Sequence, residues 1–328
     1  MRIVLALVMM AAALLMGCAP AVTPDVLPTL TATAPIPTAT AAPALQEAAS
    51  GEVSPSVPLP PTATPTLARP STPIPWQEMP VVPVVSEFAR QVYERGIEMG
   101  NDPHGFSVIG DCQNVTDFFL SAFDHPGQYD LGEYGYLQET IDHYTGSFSR
   151  KRIAVSGGFN VAAVLSPLWN NVEECDAHES PLACEYRINN PSVAIISMET
   201  WWYDRPADTY AGYLRQIVEY SIAEGVVPIL ATKADNLEGD WGINAAIVQV
   251  AQEYDVPLWN FWLAVQPLPG HGLQLDGFHL TYGRPFFSIE ANMNTGWAMR
   301  NLTALQALDA VRRAVTGDEP APSVGGEG

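Results

Sequence analysis

Phe106-Ser107-Val108-Ile109-Gly110-Asp111-Cys112-Gln113 is the stretch on which the reading of this chain turns. An uncharged apolar run closed by turn residues reads as a buried strand, and Gly110-Asp111 supplies the turn. Four further runs have the same character: Ile153 to Val155, Val193 to Met198, Val226 to Ala231 and Pro257 to Trp259. Between them the spacing predicts helices over Asn114 to Phe123, from about Val161, and over Asp208 to Glu224, Asn244 to Tyr254 and Trp297 to Val315. In Asp208 to Glu224, Tyr210, Leu214, Ile217 and Ile222 fall near one face, and Gly225 closes the helix. Strands alternating with helices predict the α/β class, as a three-layer α/β/α sandwich around a parallel sheet.

Ligands of such sheets bind beyond the carboxyl ends of the strands. Cys112, Gly157, Thr200 to Trp202 and Lys233 all follow predicted strand ends, which gathers them on one rim. A second string, Asp276-Gly277-Phe278-His279, precedes the last helix and reaches that rim from its loop. A carboxylate three residues before an imidazole can hold the ring through one local turn. Cys112 is then the nucleophile, His279 the base that activates it, and Asp276 the group that orients the base. A helix amino end and a protonated imidazole would lower the thiol from its ordinary pKa of about 8.5. The opposing readings are that Cys112 is a small buried residue in a site that has lost its chemistry, or that it is bridged to another cysteine. Asp111 reads as structural, accepting backbone amides that shape the turn.

The two strings resemble the first and last blocks, Gly-Asp-Ser and Asp-x-x-His, of the SGNH (GDSL) hydrolases, with Cys112 at the serine position. The resemblance covers roughly Ser86 to Val315. It implies a flavodoxin-like sandwich of the SGNH hydrolase type and an esterase or acyl hydrolase acting through Cys112, His279 and Asp276. It also implies oxyanion donors: the Cys112 amide and, in Val155-Ser156-Gly157-Gly158, the Gly157 amide, where a plain glycine turn is the alternative. The family's third block is Gly-x-Asn-Asp. Laid over it without gaps, Pro191 to Trp202 puts Trp201 in the asparagine's place, and an indole N–H can donate one hydrogen bond. Substrates would be carbohydrate or lipid esters, and an acyltransferase would share the same site. The cysteine and Trp201 also favour an alternative, a catalytically degenerate domain that binds glycan or cell-wall material. Its aromatics would come from Trp201-Trp202-Tyr203 and Trp259-Asn260-Phe261-Trp262, clusters that more often belong to a core. Lys233 and Asn236 could contact ligand, or belong to a salt-bridged loop.

Residues 1–17 carry one early charge, Arg2, and an apolar run that stops at Gly17-Cys18. Leu15-Met16-Gly17-Cys18 resembles a bacterial lipobox, which implies a lipoprotein signal peptide and a lipidated Cys18; an ordinary secretory signal is the other reading. Residues 18–83 hold more than half of the chain's 29 prolines, with Thr and Ala and few charges. Such a segment cannot bury enough apolar surface to fold and reads as a disordered stalk, bare or glycosylated. In polyproline II form it would reach at most roughly 190 Å. Residues 84–316 are the length of one domain, and 317–328 read as a disordered tail. The chain is therefore expected outside the cytoplasm, lipid-anchored to a membrane surface.

The formal charge of -21 disfavours nucleic acid and anionic membrane surfaces and favours neutral or cationic ligands, uncharged esters above all. With Cys18 given to lipid, Cys175 and Cys184 flank a short polar segment that an oxidising compartment would close, leaving Cys112 free; a bridge from Cys112 to either is the competing arrangement. His104, His125, His143, His178 and His271 show no metal-ligand spacing, and no zinc, nucleotide or flavin motif is present, so neither metal nor cofactor is expected. The oligomeric state is left open.

Overall fold

The computed structural model describes residues 75–201 and 205–318. The signal segment, Cys18, the stalk as far as residue 74, Trp202, Tyr203 and the tail from residue 319 lie outside them.

Four strands form one sheet: β1 (Asp102–Gly110), β2 (Pro191–Ser197), β3 (Val227–Ala231) and β4 (Leu258–Trp259). They are parallel and lie in the order β1-β2-β3-β4. Side chains alternate across a strand, so each strand divides its apolar residues between two cores. Phe106, Val108, Val193, Ile195, Val227 and Ile229 pack on one face beneath helices α1 (Glu87–Met99) and α5 (Gly296–Thr316). Ile109, Ala194, Ile196, Leu230 and Leu258 pack on the other beneath α2 (Pro181–Asn189), α3 (Ala207–Ala223) and α4 (Gly242–Glu253). The result is a three-layer α/β/α sandwich with a parallel sheet. Both faces of β2 and β3 are covered, which is why those strands read as unbroken apolar runs.

The helix ends follow from local chemistry. Ser86 caps α1, its hydroxyl accepting from the Ala89 amide at 3.1 Å, and Gly100 ends it at φ 100°. Gly225, at φ 69°, turns the chain from α3 into β3; a Cβ there would meet the Gly96 backbone at 2.3 Å. Among the described residues no helix is long and apolar enough to cross a membrane.

Three expected elements are absent. Ile153 to Val155 is not a strand: only Val155 forms a parallel bridge, to Gly110. The buried Glu185 carboxylate takes the Ile153 and Ala154 amides at 2.6 and 3.3 Å, so those donors never enter a ladder. Asn114 to Phe123 is not an α-helix. Leu120 sits at φ 68°, its amide on Asn301 Oδ1 at 2.6 Å, while Arg152 takes the Asn114 and Phe119 carbonyls and Asn301 the Phe118 carbonyl. Long-range side chains thus satisfy the groups that a helix would pair internally. After Val161 only the 3-10 turns Ala163–Leu165 and Pro167–Trp169 form. Helices α1 and α2 and the short Gln138–His143, none expected, complete the layers.

Cys175 and Cys184 form a disulfide with Cys184 inside α2, and Cys112 is free. Closing so short a loop stabilises by about 2 to 3 kcal/mol. The Cys175→Ser, Cys184→Ser double variant is expected to lose that much in urea unfolding, with an m-value equal to or slightly above that of the bridged protein.

The domain also takes in residues upstream of its expected start. Asn260 Nδ2 donates to the carbonyls of Trp76 and Met79 at 2.9 and 2.8 Å, and the Asn260 amide bonds to the Val81 carbonyl at 3.1 Å.

Candidate active site

β1 ends in Gly110, and the chain breaks at once into a 3-10 turn, Cys112–Asn114, capped by Asp111. Only glycine fits at 110, because a Cβ there would lie 2.3 Å from the Asn114 side chain. Asp111 is fully buried. Its Oδ1 accepts from the Gln113 amide at 3.0 Å, and its Oδ2 accepts from the amides of Glu199 and Thr200, both at 2.7 Å, and the Thr200 hydroxyl at 2.8 Å. One carboxylate therefore fixes the turn after β1 to the segment after β2.

Behind the turn lies a buried arginine. Arg300 on α5 donates to the Gln113 carbonyl at 3.0 Å, Asn114 Oδ1 at 3.1 Å and Ser197 Oγ at 2.8 Å, and pairs with Glu199 at 2.9 Å. Its guanidinium lies 4.9 to 5.4 Å from the ring centres of Phe119, Trp259 and Phe261. Burial pushes the Glu199 carboxyl up to about 7 despite Arg300. Sequence reasoning missed Arg300. A signal was present, since Arg300 and Asn301 fall on the stripe of α5 that carries Trp297, Ala304 and Leu308 into the core.

The His279 side is built locally. Asp276 Oδ1 accepts from the Phe278 and His279 amides, both at 3.0 Å, and Oδ2 pairs with His279 Nδ1 at 2.6 Å. A carboxylate only accepts, so Nδ1 carries the proton and Nε2 is left as the acceptor. The His279 hydrogen bond, with the Phe278 amide, holds the Asp276 carboxyl down at about 2, so it stays ionised at neutral pH. Both side chains are about half exposed. A second residue missed in the sequence, Gln113, joins the two halves by donating from Nε2 to the Phe278 carbonyl at 2.8 Å.

Cys112 is partly exposed, and among the described residues no hydrogen bond joins its sulfur to His279. Its thiol is pushed up to about 12, by burial first and then by the Asp111 and Glu199 carboxylates. The expected lowering is thus reversed. The helical turn that follows spans only three residues, too short for an appreciable dipole, and two acids outweigh Arg300 nearby.

Gly157 is exposed one residue past Ser156, whose amide reaches the Gly110 carbonyl at 3.4 Å, so the Val155 bridge carries it to the rim beside Cys112. Trp201 is buried, and among the described residues its indole N–H has no hydrogen-bond partner. Lys233 is buried in a salt-bridged loop, with Nζ 2.7 Å from Asp235 and 2.6 Å from Glu238. Trp259 and Phe261 are core residues, and Trp262 packs with Trp76 and Trp241. A cavity near the rim, about 740 Å³, is lined by Gly158, Trp201 and Arg205 among others, but by neither Cys112 nor His279.

No protein-family model and no curated protein sequence matches the chain. Among solved structures it is similar to a lipase/acylhydrolase from Enterococcus faecalis, at 16% identity over 66% of this chain and 98% of that one, with a TM-score of 0.38. It is similar to a GDSL-like lipase from Bacteroides thetaiotaomicron, at 14% identity over 68% and 98%, with a TM-score of 0.37. A variant of an acetylxylan esterase from Geobacillus stearothermophilus gives 15% identity over 62% and 93%, with a TM-score of 0.37. The solved proteins to which this α/β/α domain is similar thus include a lipase/acylhydrolase, a GDSL-like lipase and an acetylxylan esterase.

Proposed function

We propose that this chain is a carboxylic ester hydrolase of the SGNH type, held outside the cytoplasm by lipid on Cys18, with Cys112, His279 and Asp276 as its reacting unit. The observation that carries the reading is the oriented Asp276–His279 pair, tied through Gln113 to the turn that presents Cys112. His279 Nε2 takes the thiol proton as the sulfur–carbon bond forms. The tetrahedral oxyanion is held by the amides of Cys112 and Gly157, and Trp201, whose indole N–H has no partner among the described residues, is a third donor if its ring turns. Collapse expels the alcohol, which leaves with the proton from His279. Water then attacks the thioester, again giving its proton to His279, and the acid departs with the thiol restored.

A second reading rests on one observation, the thiol held near 12, and makes the domain a binder of glycan or cell-wall material whose site no longer turns over. Short p-nitrophenyl esters separate the two. The hydrolase reading expects turnover and, in quenched samples, an acyl mass on the peptide that contains Cys112. Cys112→Ser is expected to retain turnover, because the base and the oxyanion amides serve a hydroxyl equally. No turnover by either protein and no acyl adduct would leave the binding reading alone.

A further inference from the structure

We propose that the 740 Å³ cavity beside Gly158 is a subsite for a sugar ring bearing an anionic group, held by Arg205. For its place in the reaction the proposal rests on the ester-hydrolase reading, since Gly158, which lines the cavity, directly follows Gly157. Arg205 is the one charged side chain among the described residues that line it. Its guanidinium stacks over the buried Trp201 ring at 5.0 Å, and no carboxylate among the described residues forms an ion pair with it. Asp208, close by on the same stretch, is exposed and does not line the cavity. By contrast, Lys151 is paired with Glu174 and Arg187 with Glu179. Arg95 and Arg284, also exposed, have no carboxylate partner among the described residues either; Arg205 differs from them in being stacked on a buried ring at the wall of a cavity, where an anion supplied from outside can meet it.

The rest of the lining suits a sugar better than an acyl chain. Trp169, mostly exposed, and Tyr213 offer aromatic faces. Among the described residues the Tyr213 and Thr209 hydroxyls and Asn160 Nδ2 make no hydrogen bond, so a hydrocarbon would leave them unpaired while ring hydroxyls would engage them. The overall negative charge does not oppose this. Charges farther than about 8 Å are largely screened at physiological salt, and the local cation dominates at contact.

Calorimetric titration of the full chain carrying Cys112→Ala tests the subsite without turnover. The probes are trigalacturonate, its methyl-esterified neutral counterpart, and a sulfated neutral trisaccharide. At least tenfold tighter binding of an acidic probe than of the neutral one is expected. Arg205→Gln should bring them within twofold, and Trp169→Ala should weaken acidic and neutral probes alike. Preference for the sulfated probe would support the subsite and identify its anion as sulfate; preference for trigalacturonate identifies carboxylate. Equal binding of acidic and neutral probes, or a preference that survives Arg205→Gln, would overturn the proposal. Because binding is read without hydrolysis, a failure of the ester-hydrolase reading shows separately, as absent turnover by the unsubstituted protein.

Discussion

His279→Ala is expected to lower kcat/KM for a p-nitrophenyl ester by on the order of 10³ to 10⁴-fold, and adding Cys112→Ala should lower it hardly further. The reason lies in the thiol. Held near 12, Cys112 has almost no thiolate at neutral pH, so attack requires a base that removes the proton as the bond forms. Loss of the imidazole and loss of the sulfur therefore remove the same attacking species. A pH series makes the test sharper. At alkaline pH the His279→Ala rate in excess of that of the His279→Ala, Cys112→Ala double variant, which corrects for direct attack by hydroxide on the ester, should climb roughly tenfold per pH unit, because only hydroxide can then generate thiolate. A flat profile of that excess would mean that Cys112 is not the attacking atom. Asp276→Asn should cost less than His279→Ala, since the base remains and only its orientation suffers.

The second large effect concerns stability. Arg300→Met is expected to cost about 3 to 5 kcal/mol at pH 8, because it leaves the buried Glu199 carboxylate without its cation and strands the Asn114 and Ser197 acceptors. The loss should shrink toward pH 5. Glu199 is an acid whose folded-state value, about 7, lies above the 4.5 of a free glutamate. Its contribution to stability is complete below pH 4.5 and is lost as pH rises through 7, a span worth on the order of 3 kcal/mol. Below that window Glu199 is protonated and no longer needs Arg300. Urea unfolding at pH 8 and pH 5 measures both losses, and equal losses would show that the pair does not act through the Glu199 charge.

The layered fold was readable because its strands and long helices are decided by burial, which periodicity reports directly. Val193 to Met198 and Val227 to Ala231 are apolar on both faces, and α3, α4 and α5 begin and end within two residues of their expected bounds. The failures share one cause. Around Ile153 and Leu120 the backbone is satisfied by Glu185, Arg152 and Asn301, side chains 32, 33 and 181 residues from the groups they bond, and local pattern carries no trace of partners that distant. The site divides in the same way. Asp276 and His279 meet through a three-residue turn and are visible in the string itself. The thiol environment depends on Glu199 and Arg300, which come near Cys112 only once the sheet has formed.

Asn260 grips the segment entering the domain at Trp76, Met79 and Val81, and also anchors Thr232 Oγ1 at 3.1 Å and the start of the helix Phe261–Val265. A mechanical load applied from the amino-terminal side of Pro75 would thus be borne first by a few hydrogen bonds at the edge of the sheet. Those bonds are joined to the carboxyl ends of β3 and β4, so tension would be felt on the same side of the molecule as the chemistry. Asn260, together with the Trp76 ring packed on Trp241 and Trp262, is the link through which such a pull would reach the reactive rim.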